Sequence, residues 1–215
     1  MLAVATQVRR LPRLLFGLVV FGIGVGMIVA GDHGLPGWDV LHQGLSEQLP
    51  ISIGTATVAV GVIILVALVV LREPIGVGTV CNVLVIGPAV DATLWVLDDP
   101  TNQVARVALT LLGPFVVAVG SGFYLGVRLG PGPRDGLMTA LGHRGVTLWK
   151  ARFGIEATAL IAGMLLGGTV GWGTVWFLVT IGPSVQWAID RFSVPAEPGE
   201  QFRDRRSTTD PAPQR

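Results

Sequence analysis

Acidic side chains inside long apolar stretches are the residues most able to do chemistry in this sequence. Asp91 lies in the apolar run 78–97 and Glu156 in the run 149–168. A carboxyl inside a membrane-length helix is disfavoured by about 2.5–3.5 kcal/mol on insertion scales, so it needs a partner or a task. Arg152 stands one turn before Glu156, and an i,i+4 ion pair is one such partner. A carboxyl that takes up and releases a proton, or holds a cationic solute, is the alternative. Two further acids sit in matched surroundings. Asp39 follows Gly34-Leu-Pro-Gly-Trp38, and Asp135 follows Gly130-Pro-Gly132-Pro-Arg134. In each, glycine and proline precede a short, half-apolar helical stretch, and an aspartate in a first helical turn is favoured by the positive end of the helix dipole.

Other chemistry is sparse. His33, His42 and His143 lack metal-ligand spacing, and no set of nucleophile, histidine and acid, phosphate loop or nucleotide fingerprint is present. Cys81 is the single cysteine, so an internal disulfide is excluded and a small packing role is expected. The expectation is a non-enzymatic protein without metal or cofactor. A net charge of +1 and the absence of a basic, aromatic surface argue against nucleic acid as a partner.

The elements that must position these residues are apolar helices. Hydrophobic residues make up 51% of the 215 and charged residues only 13%, about half the share in a soluble domain. Six runs, roughly 14–30, 53–71, 78–97, 107–127, 149–168 and 172–190, match the length needed to cross about 30 Å of hydrocarbon. The lipid bilayer is therefore the first expected partner. The run at 14–30 is too long for a signal peptide and has no A-x-A site, so it is read as a retained helix. Lysine and arginine collect in alternate connections: Arg9, Arg10 and Arg13; Arg72; then Arg128, Arg134, Arg144, Lys150 and Arg152; then Arg191 onward. The segment 31–52 has none. This asymmetry predicts a multi-pass cell-membrane protein with both termini in the cytoplasm.

GVGTVCNVLVIGP, residues 76–88, returns as GWGTVWFLVTIGP, residues 171–183. Gly78, Thr79, Gly87 and Pro88 thus recur as Gly173, Thr174, Gly182 and Pro183, each 95 residues later. Asp39 recurs as Asp135, and Gly17, Gly24 and Gly26 as Gly113, Gly120 and Gly122, each 96 residues later. Each copy holds three crossings, and an odd number turns the second copy upside down. The expected fold is an all-α polytopic membrane protein of two inverted three-helix repeats, each with a short helical or re-entrant motif. Its parts are a cytoplasmic N-terminus (1–13), a first repeat (14–97), an external linker (98–106), a second repeat (107–192) and a disordered cytoplasmic tail (193–215).

The short motifs read in two ways. They are interfacial helices that Asp39 and Asp135 cap, with Trp38 an interfacial anchor, or they are re-entrant half-helices pointing at a central site. Gly22-xxx-Gly26, Gly122-xxx-Gly126 and Gly163-xxx-Gly167 are small-residue faces suited to packing inside the bundle, with a homodimer as the second use.

Together G-x-x-x-W-D-V-L-x-x-G-L, G-P-G-P-R-D-G-L-M and the paired G-x-G-T…I-G-P blocks resemble the YczE/YitT-type family of bacterial integral membrane proteins, over about residues 14–190. Pro36-Gly37-Trp38 departs from the usual placing of proline directly before tryptophan. The resemblance implies a cytoplasmic-membrane protein and supplies no substrate. The residues themselves suggest a transporter or permease-like carrier of a small solute, with Trp38, Asp39, Asp91, Arg134, Asp135 and Glu156 at its site. A non-transporting membrane partner of another complex is the alternative. A channel is a third reading, against which the Asn-Pro-Ala signature of aquaporins is absent.

Overall fold

A computed structural model describes residues 2–194, and among the described residues the chain forms eight α-helices. They are α1 (Leu2–Gly31), α2 (Gly37–Gln48), α3 (Ile53–Val70), α4 (Val77–Leu97), α5 (Gln103–Gly126), α6 (Pro133–His143), α7 (Leu148–Leu165) and α8 (Trp172–Phe192). Among the described residues there is no strand. The tail beyond residue 194, expected to be disordered, lies outside them.

Among the described residues four helices are long and apolar enough to cross a membrane: α1 from Val8, α3, α4 and α5. The other two expected crossings form helices, α7 and α8, that fall outside that set. Lys150, Arg152 and Glu156 give α7 its polarity. The N-terminal boundary also moves. Helix α1 begins at Leu2, well before the apolar run, and takes in Arg9, Arg10 and Arg13. Two of these arginines serve other helices. Arg10 donates to Val127 O (3.2 Å) at the end of α5, and Arg13 donates to Phe192 O at the end of α8. A cation at a helix C-terminus meets both the free carbonyls and the negative dipole end.

The centre of the molecule is an antiparallel pair, α1 and α5. A Cβ on Gly17 would lie 2.9 Å from Gly120 O, and one on Gly24 the same distance from Gly113 O. Glycine there lets the two backbones touch, which is how membrane helices gain dispersion contact without a hydrophobic driving force. Gly22 and Gly26 seat α4 through Ala89 and Thr93, while Gly122 and Gly126 seat α8 through Ala188 and Ser193. Gly163 receives α2 at Val40 and Leu41, whereas Gly167 ends α7 with φ +99°. The small-residue faces thus pack helices within one chain. Leu14, Leu18, Val25, Ile28, Val90 and Val117 fill the core between them.

Candidate functional site

The repeated glycine–threonine blocks position the short helices. The connection from α1 to α2 docks on the start of α8. Gly173 N donates to His33 O (2.8 Å), Thr174 Oγ1 donates to Leu35 O (2.8 Å), and Gly171 N donates to Thr174 Oγ1 (3.2 Å). The connection from α5 to α6 docks in the same way on the start of α4. There Gly78 N donates to Leu129 O (2.8 Å), Thr79 Oγ1 to Pro131 O (2.7 Å), and Gly76 N to Thr79 Oγ1 (3.3 Å). Each threonine satisfies one loop carbonyl and one free helix-start amide, groups that would be costly to leave unpaired in an apolar interior. Gly34 (φ +105°) and Gly130 (φ +124°) turn the chain into these docks in a backbone region that L side chains rarely enter. A Cβ on Gly34 would also lie 2.2 Å from Gly171 N.

From these docks α2 and α6 start close together and diverge. At 12 and 11 residues, each is about 17 Å long and too short to cross. Trp38, in the first turn of α2, packs with Leu137 of α6 against Ile64 and Leu68 of α3. Helix α2 then runs toward the start of α3, where His42 meets Thr57 (3.1 Å). Helix α6 runs toward the other end of α3, where Arg144 Nη2 donates to Leu71 O (2.8 Å). Arg144 and His143 also bind Glu73, at 3.0 and 3.1 Å. The hydrogen bond from Arg144, with His143 adding to it, holds the Glu73 carboxyl below the usual glutamate range despite its partial desolvation.

Where the two first turns meet, the guanidinium of Arg134 lies 4.7 Å from the centroid of the Trp38 ring, within cation–π range. Trp38, Arg134, Asp135, Met138, Arg152, Ile155 and Glu156 line a recess of about 30 Å³, room for roughly one or two waters. Arg152 Nε donates to Glu156 Oε1 (3.0 Å) on α7, the i,i+4 pair expected from the spacing. The recess borders a larger, mostly apolar groove of about 470 Å³ between α2, α6 and α7. Trp38 and Ile155 belong to both.

Of the six candidate site residues, Trp38, Arg134, Asp135 and Glu156 share this recess. Asp39 is buried beside it, its Oδ1 3.1 Å from His42 Nδ1. Thr57 Oγ1 lies 3.1 Å from the same His42 nitrogen and donates to Ile53 O (2.9 Å). Asp91 is elsewhere. It accepts from Ser52 Oγ (2.6 Å) and from Gly54 N (2.8 Å), holding the first turn of α3. His42 was overlooked as a partner although its i,i+3 spacing from Asp39 was visible. Met138 and Ile155 gave no signal, because an apolar lining residue looks like any other apolar residue in sequence. The three histidines stay apart, and no cluster suited to a metal exists among the described residues.

A family model described as a family of unknown function (DUF6198) matches residues 8–190. The chain belongs to that family. Its relatives include an uncharacterized protein of Haemophilus influenzae, 35% identical over 86% of this chain and 85% of the relative. The Bacillus subtilis protein YczE, described as an uncharacterized membrane protein, is 28% identical over 83% of this chain and 82% of its own length. A second B. subtilis protein, YyaS, is 23% identical over 74% and 82%. The YczE match bears out the resemblance carried by the paired motifs, and with the apolar helices it makes this chain an integral membrane protein. No solved structure matches.

Proposed function

We propose that the protein is a carrier of a small solute, built as two inverted three-helix repeats with six crossings and bound in the cell membrane with both termini in the cytoplasm. The observation that carries this reading is the convergence of the α2 and α6 first turns on the recess formed by Trp38, Arg134, Asp135 and Glu156. Half-helices that start deep and leave in opposite directions place positive dipole ends and charged side chains where a solute can be held between repeats. The antiparallel α1–α5 pair and the reciprocal docks at Thr79 and Thr174 support the inversion. The reading involves no catalysis.

Unequal packing of the halves supports carriage further. Gly87 of α4 meets Gly54 of α3, a Cβ there lying 2.3 Å from Gly54 O, whereas Gly182, its counterpart on α8, has nothing within 4 Å. Helix α7 packs on α2 rather than comparably on α8. Two halves in different states of closure suit an alternating-access cycle. The same open face of α8, with Val175, Leu178 and Val179 exposed, favours the second reading, a non-transporting partner that packs another membrane protein there.

The test is a thermal-shift screen of the purified protein against small cationic, anionic and zwitterionic solutes, followed by uptake of any hit into proteoliposomes. Carriage predicts a solute that raises the melting temperature and is taken up, with both effects lost in Arg134→Gln. A hit that binds without uptake, or no hit together with a stoichiometric membrane partner on purification, overturns it.

A further inference from the structure

The charged recess and the apolar groove are neighbours that share Trp38 and Ile155 in their linings. At the recess, the guanidinium of Arg134 is stacked on Trp38 and makes no hydrogen bond to another described residue, and the Asp135 carboxylate makes none either. Arg152 and Glu156 satisfy each other at the rim (3.0 Å). Polar groups that line a confined site without partners hold hydrogen-bonding capacity for a ligand. Here that capacity has both signs, a planar donor fork and an acceptor on adjacent residues. Beyond Trp38 and Ile155 the lining is mostly apolar, with Leu41, Leu137, Leu141 and small alanines, and Lys150 and Thr158 are its polar members. Several of these are small, and a Cβ on Gly154, also in the groove, would meet nothing within 4 Å. The groove is therefore unfilled along a face of α7 that two other helices flank.

We propose that the solute is an amphiphile whose head bears both a negative and a positive group, the head over the mouth of the recess and a single apolar chain in the groove. The proposal rests on the carrier reading above and names its substrate class. The negative group pairs with Arg134, whose fork suits a carboxylate or phosphate. The positive group faces Asp135, with Glu156 near. The chain lies between α6 and α7, shielded on one side by Leu137 and Leu141. A head alone would leave the groove unused, and a chain with an uncharged head would leave the half-buried Arg134 guanidinium and the exposed Asp135 carboxylate without a partner of opposite charge.

The probe is a single-chain alkyl phosphocholine brominated along its chain, titrated into protein held in nanodiscs, with tryptophan quenching as the readout. Glycerophosphocholine, which has the head and no chain, is the competitor. Saturable quenching is expected, most of it lost in Trp38→Phe. Gly154→Leu, which fills the groove without a clash, should weaken the chain-bearing probe about tenfold, roughly the loss of two buried methylenes, and leave competition by glycerophosphocholine unchanged. Arg134→Gln should weaken both. Glycerophosphocholine binding as tightly as the alkyl probe, with no effect of Gly154→Leu, would overturn the amphiphile and leave a small-solute carrier standing. An alkyl sulfate of the same chain binding equally well would overturn the two-signed head. Saturable binding by neither probe, while another solute binds and is taken up, overturns the inference alone. Binding by no solute at all removes the carrier reading with it.

Discussion

Arg134 and Trp38 occupy the same place in the two repeats, 96 residues apart, and they touch, the guanidinium 4.7 Å from the ring centroid. The contact therefore marks where the short helices face one another, and it fastens their first turns.

That contact predicts how the two residues divide stability and binding. Trp38→Leu keeps apolar volume but removes the π face, worth about 0.5–2 kcal/mol against a cation. It should lower the melting temperature modestly, and Trp38→Phe should restore part of the loss. Arg134→Lys keeps the charge without the planar fork, so it should fold well yet bind solute more weakly. Equal melting temperatures for Trp38→Leu and wild type would show that the ring contact contributes nothing.

The threonine docks give a second prediction. Thr79→Val and Thr174→Val each strand a loop carbonyl and a helix-start amide, at about 1–3 kcal/mol per site. Serine retains the hydroxyl and should recover most of the stability at either position. Because the docks lie on separate connections, the double valine variant should lose the sum of the two effects. Thermal unfolding in detergent measures all of these, and a valine variant as stable as wild type would remove the docking role.

These docks show what the sequence made legible. The repeat of Gly78-Thr79 as Gly173-Thr174 announced a shared structural job, since glycine and threonine return together only where backbone geometry and a hydroxyl are both needed. It did not reveal that each block serves the loop of the other copy, because that contact joins residues such as Leu35 and Thr174, distant in sequence. Glu156 was legible through its cost inside an apolar run, and Trp38, Arg134 and Asp135 through the matched glycine–proline motifs that hold them. Asp91 has the same cost and a different answer. It holds the first turn of α3 through Gly54 N, and nothing in its local pattern distinguishes that use from a solute site.

Asp39 and Asp135 should respond differently to the same change. Asp39 is buried against His42, so Asp39→Ala leaves the imidazole Nδ1 with only Thr57 and lowers stability by about 1–3 kcal/mol. Asp39→Asn keeps an acceptor and should be mild. Asp135 has no such partner, so Asp135→Asn should leave the melting temperature alone and affect solute binding. Full binding and uptake by Asp135→Asn would remove it from the site.

Glu73 sets a pH dependence. Its folded pKa lies below its ordinary value of 4.5, chiefly through Arg144. The stability it confers is therefore complete above that value and lost as pH falls through the lower, folded one. Glu73→Gln should melt earlier than wild type at neutral pH, and the gap should close progressively below about pH 4.5. A gap that stays constant from neutral to acid pH would show that the carboxylate charge is not what ties α6 to α3.

The final prediction turns on Gly87 and Gly182, which share a motif and differ in surroundings. A side chain on Gly87 would collide with Gly54 O at 2.3 Å and with Val58 Cγ2 at 2.7 Å. Gly87→Ala should separate α3 from α4 and lower the melting temperature. At Gly182 nothing lies within 4 Å, and replacing a helical glycine by alanine is worth up to about 1 kcal/mol in the favourable direction. Gly182→Ala should therefore be neutral or slightly stabilising. Gly182→Leu should also fold, because this face of α8 is open. If the carrier cycles by exchanging the packing of its halves, however, α7 must close on α8 at Gly182 as α3 closes on α4 at Gly87. Leucine would then block that closure, so Gly182→Leu should bind solute normally and fail to transport it. Normal uptake by Gly182→Leu would show that the open face of α8 takes no part in the cycle.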